Sequence, residues 1–129
     1  MTWDEYALLV AKAVAQKSKD PWCKVGSCIL RHDHSIASVG YNGFPAGIPE
    51  DWGDRTRRRQ FVVHAEHNAL RYVRPGECYL IASTTLPCND CLKGIASYGI
   101  SRIVYHTDYD LDDSTKRLAK SFRIKLIHL

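Results

Sequence analysis

Cys78-Tyr79-Leu80-Ile81-Ala82-Ser83, followed by Pro87-Cys88-Asn89-Asp90-Cys91, is the stretch whose reading decides the fold. Its first six residues are a short apolar run of strand length. Pro87 stands just before a helical pattern that covers Cys88 to Tyr98 and is closed by Gly99. Outward in the C-terminal direction the order repeats: a strand over Ile103 to His106, a helix over Asp112 to Phe122 and a strand over Ile124 to Ile127. In the other direction, His64 to Tyr72 reads as a helix with Ala65, Ala69 and Leu70 inward, ended by Arg74-Pro75-Gly76. This alternation predicts an α/β layer architecture with helices on the faces of a sheet. A helix joins the last two strands, so they are expected to run parallel.

The N-terminal half adds a helix over Trp3 to Lys17, with Thr2 as cap and Tyr6, Leu9, Val10, Ala13 and Val14 on one face. Val25 to Leu30 and Ile36 to Val39 are apolar runs split by Arg31-His32-Asp33-His34, the pattern of a β-hairpin. Gly40-Tyr41-Asn42-Gly43-Phe44-Pro45-Ala46-Gly47 follows as a loop, and a polar stretch separates it from His64. Five strands in all, without repeat or linker, predict one three-layer α/β/α domain over residues 1–129 with a mixed five-stranded sheet.

Bulk properties narrow the function without choosing it. The chain has 129 residues, 45% hydrophobic and 25% charged, an ordinary soluble globular composition. No apolar run approaches the ~18 residues of a membrane span. The N-terminus carries no basic start or apolar core of a secretory signal, so a reducing, cytoplasmic setting is the default expectation. Five cysteines is an odd number and not the spacing of a disulfide scaffold. A formal charge of +4 suits an anionic ligand but falls short of a nucleic-acid binder.

The chemistry-bearing residues fall in two places, His64-Ala65-Glu66 and Pro87-Cys88-Asn89-Asp90-Cys91, each at the start of a predicted helix. Cys88 and Cys91, three apart, put both sulfurs on one face of a first helical turn. Thiolates are favoured at a helix N-terminus, and thiolate with imidazole selects Zn2+ among common metals. Three protein ligands leave a fourth tetrahedral position for water. Glu66 is placed to take a proton from that water and pass protons to a substrate. The alternative is a zinc-stapled binding module completed by Cys78 or His106, with Glu66 merely capping a helix. No fourth ligand sits at an obvious spacing for it. A redox pair on Cys88 and Cys91 would leave His64 and Glu66 without a purpose.

His-x-Glu followed by Pro-Cys-x-x-Cys is a pattern of zinc nucleobase deaminases. Beyond it, the chain resembles the deoxycytidylate (dCMP) deaminases of the cytidine-deaminase-like superfamily, as a short member of the viral or phage type. The resemblance runs through Ser18-Lys19-Asp20-Pro21, Val25-Gly26, Gly40-Tyr41-Asn42-Gly43 with Pro45 and Gly47, Val63-His64-Ala65-Glu66 with Asn68-Ala69, Leu86 to Cys91, and Gly99-Ile100. The Gly-Tyr-Asn-Gly loop is what distinguishes this family from cytidine deaminases and tRNA adenosine deaminases.

The resemblance implies hydrolysis of dCMP to dUMP and ammonia, with Asn42 contacting the deoxyribose and Tyr109 approaching the nucleotide. The backbone N–H of Ala65, at a helix start, is placed for a base oxygen. The resemblance further implies a homo-oligomer, commonly a hexamer. It implies dCTP and dTTP as effectors, with Mg2+ accompanying the nucleotide, on a region that includes Tyr41 and Gly43. The segment between Gly47 and His64 is shorter than in many relatives and lacks the extra cysteines or histidines of a second zinc site.

Other readings stay open at this level. Asn42 could be a turn residue tolerating a left-handed angle, and Tyr109 an ordinary loop tyrosine. Arg55, Arg57, Arg58 and Arg59 read as a solvated loop or as a phosphate site, for which Arg58, Lys19 and Lys24 are candidates. No aromatic platform accompanies them, which argues against nucleic acid. Cys23 and Cys28 could clip a metal with His32 or His34, although buried thiols suit their setting better. His67 points away from Glu66, and Trp3, Trp22 and Trp52 are expected to pack or to form an interface. The substrate alternatives are C5-modified dCMP, a free nucleoside or a nucleic acid.

Overall fold

The computed structural model describes residues 1–129. Ten elements follow one another: α1 (Trp3–Ala15), β1 (Gly26–Arg31), β2 (Ile36–Tyr41), α2 (Arg55–Phe61), α3 (Ala65–Leu70), β3 (Cys78–Thr85), α4 (Asn89–Ser97), β4 (Arg102–Thr107), α5 (Ser114–Ser121) and β5 (Lys125–His128). The sheet order is β2-β1-β3-β4-β5. β1 pairs antiparallel with both β2 and β3, whereas β3, β4 and β5 are mutually parallel. The expected mixed sheet with parallel final strands is what forms.

Alternation along the central strands divides the core in two. Cys28, Leu30, Leu80, Ala82 and Val104 face α1, while Ile29, Ile81 and Ile103 face α3, α4 and α5. Thus one helix covers one face and three cover the other. No helix of the chain is long and apolar enough to cross a membrane.

Three local expectations need correction. The inward face of α1 is Ala7, Leu8, Ala11 and Ala15, while Leu9 is 55% exposed and Ala13 lies outward. Contact distance explains the rotation. A Cβ on Gly26 would stand 2.1 Å from the Ala11 carbonyl, so the helix lies against β1 through its smallest residues, not its largest. Gly40 and Tyr41 belong to β2, not to the loop that follows it. The arginine cluster is a helix, α2, started by Asp54, whose side chain accepts from the Arg57 N–H. None of its residues is buried, which is why no hydrophobic period announced it.

The thiols separate clearly. Cys28 is in the core, and burial pushes its thiol up to about 12; Cys23 is exposed. His34 stacks on Trp3 and bonds the Tyr79 hydroxyl at 2.9 Å, and His32 meets the Gly76 carbonyl. No metal clip forms among them. Trp22 lies under Arg58, and Trp52 packs edge-on against Phe44.

α3 lies equally close to β2. A Cβ on Gly40 would meet the Ala69 nitrogen at 2.5 Å and the Ala65 oxygen at 2.6 Å, whereas one on Gly43 would meet nothing within 4 Å. Gly40→Ala should therefore destabilise the protein by about 1–3 kcal/mol, while Gly43→Ala stays within about 0.5 kcal/mol of wild type. Urea midpoints of the two variants check this.

Candidate active site

The parallel strands end where α3 and α4 begin, and a cavity of about 930 Å³ opens there. His64 is the N-cap residue of α3 and Cys88 that of α4. Extended backbone at both caps turns the two side chains toward each other. His64 Nδ1 stands 3.2 Å from Cys91 Sγ and 3.5 Å from Cys88 Sγ. All three donor atoms lie within 4.8 Å of one another. A zinc tetrahedron with ordinary bond lengths has ligand–ligand edges of roughly 3.5–3.8 Å, so the set fits that ion.

No fourth protein ligand approaches. Cys78 is packed in the core under α4 and α5, and the His106 ring bonds the Leu129 carbonyl at 2.8 Å. The two sulfurs differ in their hold on a proton. The Cys91 thiol, the His64 ring and the Cys91 N–H all donate toward Cys88, drawing its thiol down to about 4. Cys91 is pushed strongly up, by its bond to Cys88, by burial and by the nearby Glu66 charge. His64 is raised by its bond to Cys88. A divalent cation would replace the proton shared within this cluster.

Glu66 lies on the first turn of α3, only 4% exposed, yet its carboxylate lines the cavity. Ser83, from β3, donates to its Oε1 at 2.6 Å. His67 points to solvent outside the cavity. A buried carboxylate beside a His/Cys/Cys set, in a cleft open to solvent, is the equipment of a metal-dependent hydrolase.

The other expected residues divide in two. Ala65, Asn42, Tyr109 and Arg58 line the same cavity. Lys24 lines an adjoining groove that shares Cys23 and Tyr109 with it. Lys19 is outside both, paired with Glu50 at 3.4 Å, and Tyr41 and Gly43 are also outside. Asn42 does not have the left-handed backbone of a turn residue. Its Oδ1 accepts from the Val25 N–H at 2.9 Å, and its Nδ2 donates to the Cys23 carbonyl and to Asp20.

Sequence reasoning missed Ser83 and Thr115 and gave Asp20 no role, while Arg59, from the arginine cluster, lines the cavity with Arg58. Asp20 receives the Trp22 and Cys23 N–H groups and pairs with Arg58 at 3.6 Å, so it ties α2 to the cavity wall. Thr115 donates to Asn89 at 2.8 Å, joining α5 to the start of α4. Asp20 stood in a quoted motif, and its Asx-type spacing before Trp22 was the available signal.

Residues 1–107 match the family model of the cytidine and deoxycytidylate deaminase zinc-binding region. A human deoxycytidylate deaminase is 34% identical over 128 residues, covering 89% of this chain and 71% of that protein. A deoxycytidylate deaminase of Mycobacterium phage D29 is 37% identical over 123 residues, covering 80% of this chain and 93% of that one. The crystal structure of a dCMP deaminase from the cyanophage S-TIM5, in complex with dCMP and dUMP, superposes with a TM-score of 0.84. It is 26% identical, with 97% of this chain and 95% of that chain covered. The chain belongs to the cytidine and deoxycytidylate deaminase family.

Cys88→Ser and Cys91→Ser should each abolish stoichiometric zinc, while His67→Ala keeps it. Elemental analysis of the purified variants decides this.

Proposed function

We propose that this chain hydrolyses deoxycytidylate to deoxyuridylate and ammonia, as one catalytic domain over residues 1–129. The observation that carries the reading is the buried Glu66 carboxylate beside His64, Cys88 and Cys91 in a nucleotide-sized cavity. The names of the relatives supply the substrate. Zinc held by those three ligands would supply a Lewis acid that makes water nucleophilic near neutral pH.

The chain's own residues then move protons and hold the nucleotide. Glu66 accepts a proton from the water that attacks C4 of cytosine. It passes that proton to ring N3, then takes the proton of the new C4 hydroxyl and gives it to the departing amine, which leaves as ammonia while C4 becomes the carbonyl. The first N–H groups of α3 have no intrahelical acceptor, so that of Ala65 is free for the base oxygen. Asn42 has committed both amide hydrogens and one lone pair, which leaves the second lone pair of Oδ1 for a deoxyribose hydroxyl. Tyr109 offers a ring at the rim.

Arg58 is the foremost phosphate candidate. It lines the cavity, and Asp20 would keep its Trp22, Cys23 and Asn42 donors if the guanidinium turned to an anion. Lys24 faces the adjoining groove, as an outer contact. Beyond the reaction itself, we propose a cytoplasmic homo-oligomer, hexameric as the family resemblance implies. The open edge of β2, with Ile36, Val39 and Tyr41 exposed, supports association. dCTP and dTTP, with Mg2+, would act near Tyr41 and Gly43, apart from the catalytic cavity.

Ammonia release from dCMP, deoxycytidine, dCTP and a short single-stranded oligonucleotide, with and without dCTP and dTTP as effectors, tests the assignment. dCMP should exceed deoxycytidine in kcat/KM by at least about tenfold, the worth of one charge-assisted phosphate contact. Equal rates would remove the phosphate site. Glu66→Gln should keep zinc and lose about 10²- to 10⁴-fold in kcat. Unchanged turnover in that variant would overturn the proton-transfer role.

A further inference from the structure

Behind Glu66, on the side away from the cavity, lie two hydroxyls in a row. Ser83 Oγ is 2.6 Å from Glu66 Oε1, and Ser27 Oγ is 3.3 Å from Ser83 Oγ. Both serines are fully buried. They are direct cross-strand partners on β1 and β3, and the next pair on the same face is Ile29 with Ile81. A pair of hydroxyls where the face continues as aliphatic core costs free energy unless the hydroxyls are bonded. Here each is, and the chain of bonds leads to the reacting carboxylate.

Its direction follows from valence. An ionised carboxylate only accepts, so the single Ser83 hydrogen goes to Glu66. Ser27 must then donate to Ser83, and each bond polarises the next toward Oε1. Neither serine lines the substrate cavity.

We propose that Ser83, itself oriented by Ser27, is a positioning residue for proton transfer by Glu66. It pins Oε1 against β3, so that Oε2 is the oxygen that takes the proton from water and delivers it to the base. A glutamate has three side-chain torsions, and an unanchored carboxylate would spend much of its time out of line with the transfer. The inference rests on the deaminase reading above, because it assigns the anchor for that reading's proton carrier.

Steady-state kinetics with dCMP on the zinc-loaded full chain test it. Ser83→Ala should lower kcat by about tenfold to a hundredfold, the effect of losing a hydrogen bond to a charged group. KM should stay within about twofold, and zinc content and the melting profile should remain those of a folded, loaded protein. Ser83→Thr restores the hydroxyl and should restore most of kcat. Ser27→Ala should give a smaller loss, and adding it to Ser83→Ala should cost nothing further, since Ser27 reaches Glu66 only through Ser83.

Wild-type kcat in Ser83→Ala, no rescue by threonine, or a loss that tracks zinc or KM would each overturn the proposal. A wild-type protein that deaminates none of the cytosine substrates would remove the deaminase reading and the relay together. Active wild type with an unaffected Ser83→Ala would remove the relay alone.

Discussion

At Gly40 the backbone of α3 lies so close to β2 that a methyl group would stand 2.5 Å from the Ala69 nitrogen. That approach sets the depth of α3 against the sheet. Depth in turn decides where Glu66 and His64 stand relative to the end of β3. The carboxylate meets Ser83 because the first turn of α3 is low enough to reach a β3 side chain, and His64 meets Cys91 at 3.2 Å for the same reason. Gly26 does the equivalent on the other face, admitting the alanines of α1. The sheet is thus clamped between two helices at two residues without side chains.

The site assembles from both ends of this clamp. β3 is the hinge of the topology, antiparallel to β1 on one side and parallel to β4 on the other. Its carboxyl end is where α4 starts, and crevices in open α/β sheets form beyond such strand ends. α3 arrives there from the hairpin side and α4 from the parallel side. The imidazole therefore comes from one side and the two sulfurs from the other.

What was legible in the chain was local. His64 with Glu66, and Cys88 with Cys91, are fixed by two- and three-residue spacings at helix starts, so the metal set could be read without knowing the sheet. Ser27 and Ser83 could not, because their meeting depends on the register of β1 against β3. The face of α1 was misread because apolar bulk was followed, while contact distance at Gly26 favoured alanine. α2 escaped because its helix is held by the Asp54 cap and by Arg58 on Asp20 and Trp22, and not by a buried stripe. Lys19 sits in a motif of the resemblance but outside the cavity, paired with Glu50; a motif does not say which way a side chain points.

The two helix starts at the cavity show where stability has given way to chemistry. Ser, Thr, Asp or Asn at an N-cap satisfies a free N–H of the first turn, and α1 has that in Thr2, complete with the reciprocal Glu5 bond. α3 has His64 there instead, with no side-chain cap bond. α4 has Cys88, whose sulfur accepts from the Cys91 N–H at 3.5 Å. A conventional cap at either position would stabilise its helix by about 1 kcal/mol and would delete one of the three donor atoms that could hold a metal. A bound ion would compensate by tying both helix starts together through the His64, Cys88 and Cys91 donor atoms. The N–H of Ala65, the first position of α3, is beyond a cap side chain's reach in any case and is left for a ligand. Removing the metal should therefore loosen the beginnings of α3 and α4 before it disturbs the sheet, because the strands take their order from the two cores and only the helix starts from the ion.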